Sequence, residues 1–153
     1  MLNALKSMYN VVKARVRVGS DITDVFMCPR GLKQGDNCSP VLFSLFINDL
    51  AEDIIRKGKH GIQLNPDCTE ILTLLFADDV ALVSYTVRGL QTQLDVLWNT
   101  ARQLDLNVNL DKSNVVIFRN GGYVSVRERW LYGSQNVTIT NMYKYLGMFL
   151  STR

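Results

Sequence analysis

The sequence predicts an α+β chain in which helices pack against an antiparallel sheet. Three observations carry that expectation. Two long stretches place apolar residues at helical spacing, several short runs are rich in β-branched and aromatic residues, and turn-forming residues separate most of these segments. With 153 residues, 47% of them hydrophobic, the chain is long enough for one core, and one domain is expected.

Leu2, Leu5, Met8, Tyr9 and Val12 recur at helical spacing, so the chain should open on an amphipathic helix. Ala14 to Val18 and Ile22 to Met27 flank Gly19-Ser20-Asp21 and read as a hairpin. Loop chemistry follows at Pro29, Gly31 and Gly35. Ser39-Pro40 then reads as a helix start, with the Ser hydroxyl capping free amides and Pro in the first turn, where it forfeits no needed donor. This helix should run to Lys57 and stop at Gly58, with Val41, Leu42, Leu45, Phe46, Asp49 and Leu50 tracing a mostly core-facing stripe.

Asn65-Pro66-Asp67 marks a turn. From Ile71 to Tyr85 two apolar runs meet at Asp78-Asp79, and their β-branched and aromatic content predicts a hairpin with both strands buried. Leu90, Leu94, Leu97, Trp98, Ala101 and Leu104 predict a second long helix ending near Asn107. Val115 to Phe118, Trp130 to Tyr132, Val137 to Thr140 and Tyr145 to Leu150 read as short strands, and no repeat or low-complexity tract interrupts the order.

Composition excludes more than it implies. Lys and Arg number 17 against 14 Asp and Glu, a net charge of +3 that permits contact with a polyanion without pointing to one. Cys28, Cys38 and Cys68 are an odd count without CxxC spacing, which argues against a disulfide framework or zinc site and for a reducing, intracellular setting. The longest apolar stretches, Val41 to Ile47 and Ile71 to Ala77, fall well short of the roughly 20 residues that cross a bilayer. The opening MLNALKSMYN does not resemble a signal peptide, so a soluble chain without a membrane partner is expected.

The chemistry concentrates at Phe76-Ala77-Asp78-Asp79, two adjacent carboxylates at the expected tip of an apolar hairpin. Two like charges this close repel, and a cation relieves the repulsion. Hard oxygen donors suit Mg²⁺, which keeps several waters and is completed by substrate phosphates. Paired acids in a turn are more often plain solvated turn residues. The apolar strands on both sides favour a site.

LLFADDVAL resembles the F/Y-x-D-D core of reverse transcriptases, and GLKQGDNCSPVLFSLFINDL resembles the segment that precedes it. LDLNVNLDKSNVVIF is similar to the family's L-x-x-N-x-x-K-S/T block, and YKYLGMFLS to its Y-L-G primer-grip strand. Four blocks in family order, from Gly31 to Ser151, identify the chain as a member, closest in its GLKQG and YKYLG forms to non-LTR (LINE-like) retrotransposon enzymes. Asp36-Asn37-Cys38 departs from the residues common there, while Ser39-Pro40 is retained.

The resemblance implies a partial polymerase palm over residues 1–153, with the opening helix and hairpin in 1–30, the motif blocks in 31–151, and fingers and thumb largely absent. It implies RNA-directed DNA synthesis by two-metal nucleotidyl transfer, with two Mg²⁺ ions and with an RNA template, a DNA primer and deoxynucleoside triphosphates as partners. Asp78 and Asp79 would be the metal ligands; Gln34, Gly35, Phe76 and Ala77 would lie at the incoming nucleotide. Lys112 would serve the leaving pyrophosphate, and Tyr145, Leu146 and Gly147 the primer grip.

The family's third carboxylate, expected on an apolar strand before Gly31, has no counterpart here, since Asp21 and Asp24 fall in the predicted hairpin. The expectation is therefore a fragment without meaningful polymerase activity on its own, working in the nucleus or cytoplasm of the cell of its parent enzyme. The alternatives are an inert nucleic-acid-binding module and a partner-dependent chain whose exposed sheet edge pairs with another protein. Trp98, Trp130 and His60 receive no role.

Overall fold

The computed structural model describes residues 2–67, 69–119 and 128–152. They fall into two compact units, Met1–Phe46 and Ile47–Arg153.

The first unit opens with α1 (Leu2–Asn10), none of whose residues is buried. Four two-residue strands follow: β1 (Lys13–Ala14), β2 (Arg17–Val18), β3 (Asp21–Ile22) and β4 (Phe26–Met27). β2 and β3 pair antiparallel across Gly19-Ser20, and the φ of 63° at Gly19 is the left-handed conformation that a two-residue hairpin turn asks of its first central residue. β1 pairs with β4 in the register Lys13↔Met27 and Ala14↔Phe26. Residues 15–16 on one strand therefore oppose 23–25 on the other, a β-bulge that Thr23 pins by bonding Val16 through both its amide and its hydroxyl.

The next helix, α2 (Ser39–Lys57), has the bounds expected of it. Its start is built differently. The Ser39 hydroxyl donates backward to the Lys33 carbonyl at 2.7 Å and caps no amide. The turn is held instead by Asp36, whose carboxylate accepts from the Cys38 amide and the Tyr9 hydroxyl, each at 2.9 Å. Those two bonds, the Cys38 amide first, hold the Asp36 carboxyl below its ordinary range. The expected core stripe is also displaced. Val41 and Leu45 are 63% and 67% exposed, and the face that is buried carries Ile47, Leu50 and Ile54.

In the second unit, β5 (Thr73–Phe76) and β6 (Asp79–Leu82) form the expected antiparallel hairpin, but its strands are not both buried: Leu74 and Phe76 are exposed, and Leu72, just before β5, is buried. α3 (Val87–Gln103) is capped by the Thr86 hydroxyl, which accepts from the Gly89 amide. It supplies much of the core through Leu94, Val96, Leu97 and Ala101. β7 (Asn114–Val116), β8 (Leu131–Tyr132), β9 (Gln135–Asn136) and β10 (Thr138–Thr140) follow, then β11 (Met142–Tyr145) and β12 (Met148–Ser151).

The α+β class stands. Among the described residues, however, the single antiparallel sheet is replaced by six two-stranded ladders, and β7–β10 is parallel. Tyr145 to Leu150, expected as one strand, turns back on itself at Leu146-Gly147. Cys28 and Cys38 are free thiols, and Cys68 lies outside the described residues. No described helix is long and apolar enough to cross a membrane.

Candidate active site

The register Phe76↔Asp79 leaves Ala77 and Asp78 as the two-residue turn of the β5–β6 hairpin, with Asp79 as the first residue of β6. Phe76, Ala77, Asp78 and Asp79 are all exposed, so both carboxylates are open to ligands. Ala77 has φ 50°, a left-handed conformation that costs an L-residue about 1–2 kcal/mol.

The other end of the hairpin is tied down. The Val83 amide donates to the Leu72 carbonyl at 3.0 Å, and the side-chain amide of buried Gln93 donates from α3 to the Val83 carbonyl at 2.9 Å. Directly after β6, the Ser84 hydroxyl and the Tyr85 amide both donate to the His60 carbonyl. Gly89 closes the contact: a Cβ there would lie 2.8 Å from the Lys59 carbonyl oxygen. A free tip on a fixed base is the arrangement a ligand-binding turn requires.

Lys112 is exposed, and its carbonyl accepts from the Tyr143 hydroxyl of β11 at 3.0 Å. The lysine block is thereby joined to β11, the strand that ends at Tyr145, a link that spacing alone did not reveal. Leu146 and Gly147, at φ 48° and 85°, are the central residues of that turn, the both-positive pattern of a type I′ hairpin. Gln34 and Gly35 belong to the first unit; both are exposed, and Gly35 has φ 86°.

Gln93 and Gly89 went unnoticed in the sequence. Gln93 falls three residues after Leu90 and four before Leu97, so a polar residue within an apolar stripe was the available signal. Its Oε1 is buried without a partner.

Asp78 and Asp79 offer hard oxygens that fit Mg²⁺, but no group of three or more His, Cys, Asp or Glu able to hold a metal occurs among the described residues. Two carboxylates by themselves would leave the remaining positions of such an ion to water and other oxygen ligands.

An α+β chain with an acidic turn of this sequence defines a class: residues 2–150 match the family described as Reverse transcriptase (RNA-dependent DNA polymerase), and the chain belongs to that family. Its relatives include the Pol polyprotein from the type-1 retrotransposable element R2 of Bradysia coprophila, 30% identical over 130 residues, covering 80% of this chain and 14% of the relative. That of the type-2 element R2DM of Drosophila melanogaster is 33% identical over 90 residues, covering 59% and 8%. The R2 relative from Nasonia vitripennis is 26% identical over 156 residues, covering 97% and 15%. The chain thus spans about a seventh of the first of these relatives, and the non-LTR type expected from GLKQG and YKYLG stands.

Proposed function

We propose that residues 1–153 form a partial palm domain that contributes the metal-binding turn to an RNA-directed DNA polymerase of the R2 kind. The observation that carries this is the exposed Ala77-Asp78-Asp79 tip on a hairpin whose base is bonded to α3 and to the Lys59–His60 segment.

In this reading Asp78 and Asp79 hold Mg²⁺, which when bound supplies charge to the oxygens of the transferring phosphoryl group. Gln34, Gly35, Phe76 and Ala77 position the incoming deoxynucleoside triphosphate, the ammonium of Lys112 faces the leaving pyrophosphate, and Tyr145, Leu146 and Gly147 hold the DNA primer on its RNA template. The parent enzyme works inside the cell, in nucleus or cytoplasm. With two acidic donors at the turn, the 153-residue chain by itself is expected to extend no primer. Mg²⁺-dependent, RNA-templated extension by this chain that is lost in Asp78→Ala would refute its inactivity.

The site itself is tested by titrating Mg²⁺ into the ¹⁵N-labelled chain. The Ala77, Asp78 and Asp79 amides should shift, and Asp79→Asn should weaken the response at least tenfold. A tip that does not respond, or responds equally in the variant, sinks the assignment.

A further inference from the structure

The positive charge of this chain is not spread evenly. The first unit carries six Lys and Arg against three acids, whereas the second carries eleven of each, so the whole net charge of +3 resides in residues 1–46. Within that unit Lys13 of β1, Arg15 in the link between β1 and β2, and Arg17 of β2 alternate along one arm of the bulged hairpin and are all exposed. Alternate residues of a strand share a face and stand about 6.6 Å apart, the scale on which phosphates succeed one another in an extended single strand.

Against these three cations the opposite arm carries two acids, Asp21 and Asp24, the latter in the bulge across from Arg15. The residues paired with Lys13 and Arg17 are Met27 and Ile22, both apolar and about half exposed. Asp21 is paired with Val18 and so shares the other face. The bulge opposite Arg15 adds twist to the ladder, which suits a stripe that follows a curved polyanion. Cations regularly spaced on an exposed face, with apolar neighbours against which sugars and bases can lie, form an electrostatic track.

We propose that Lys13, Arg15 and Arg17 bind the sugar-phosphate backbone of a single-stranded RNA, one phosphate to each side chain. The identification of that strand as a polymerase template rests on the function proposed above; the binding does not. Three phosphate contacts on a single strand contribute about 2 to the slope of log K against log salt, at roughly 0.7 per contact.

The test is fluorescence anisotropy of a labelled single-stranded RNA with the full 153-residue chain over a salt series. Lys13→Gln/Arg15→Gln/Arg17→Gln should lower the slope by about 2, and each single substitution by about 0.7. Lys59→Gln/Arg88→Gln/Arg129→Gln, which removes the same charge from the second unit, should leave the slope as it was. Lys13→Arg/Arg15→Lys/Arg17→Lys should retain binding, with circular dichroism confirming the fold of each variant. No RNA binding by the unsubstituted chain, an unchanged slope in the stripe variants, or equal losses in both triple variants would each overturn the proposal. The Mg²⁺ titration is independent of all of these, so a silent Asp78-Asp79 turn with an intact salt slope would remove the polymerase reading and leave the RNA track in place.

Discussion

Ala77 and Leu146 hold left-handed backbone conformations at the tips of the two hairpins that carry the family's motifs, although neither is glycine. At Ala77 the side chain is exposed and gains little from packing, so the strain there has no local compensation. Ala77→Gly should therefore stabilise the chain, because relief of about 1–2 kcal/mol exceeds the roughly 0.4–1 kcal/mol of added unfolded-state entropy. The urea midpoint should rise, and a fall would show that the turn is not strained. The two motifs were visible as strings of residues, but their strain was not, because backbone dihedrals at a turn depend on the register of both strands.

At the scale of elements, α3 organises the second unit by bonding to backbone that cannot bond to itself. The Gln91 side chain both donates to and accepts from Leu131, standing in for a neighbouring strand, and the Trp130 indole donates to the Val87 carbonyl. On another side Gln93 holds the end of β6. Gly89 lets α3 approach the Lys59–His60 segment, so Gly89→Ala should destabilise the chain even though alanine is the better helix former. Overpacking of about 1–3 kcal/mol offsets a propensity gain of about 1 kcal/mol, for a net loss of up to roughly 2 kcal/mol. A thermal midpoint equal to or above that of the parent would contradict the close approach. The limits of α2 and the existence of α3 were legible because periodicity and helix stops are local. The buried face of α2 was not, because a stripe of apolar residues does not say which neighbour will cover it, and Val41 and Leu45 are left exposed.

Across the second unit as a whole, Asp53 joins α2 to α3. Its carboxylate accepts from Lys57 and Arg56 of its own helix and from the Thr100 hydroxyl of α3 at 2.8 Å. The Lys57 bond first, then Thr100 and Arg56, hold its carboxyl well below the ordinary carboxylate range. A depressed folded-state value means that the stabilisation is fully present above about pH 4, the unfolded value, and is lost as pH falls toward the folded one. Thermal midpoints measured between about pH 2 and 6 should fall on the acid side, and Asp53→Asn should flatten that limb. An identical acid limb in the variant would assign the loss to other groups.

The sequence by itself determined the family, the helix limits of α2 and the hairpin that presents Asp78 and Asp79, since each is written in residues close together in the chain. Only the tertiary structure decided that β7 pairs in parallel with β10, that Asp36 and not Ser39 holds the start of α2, and that Gln93 and Gly89 fasten the acidic hairpin to α3. The physical reason is the same in each case: pairing and burial join residues far apart in the chain, and the choice among possible partners is made by packing and hydrogen-bond satisfaction rather than by local pattern.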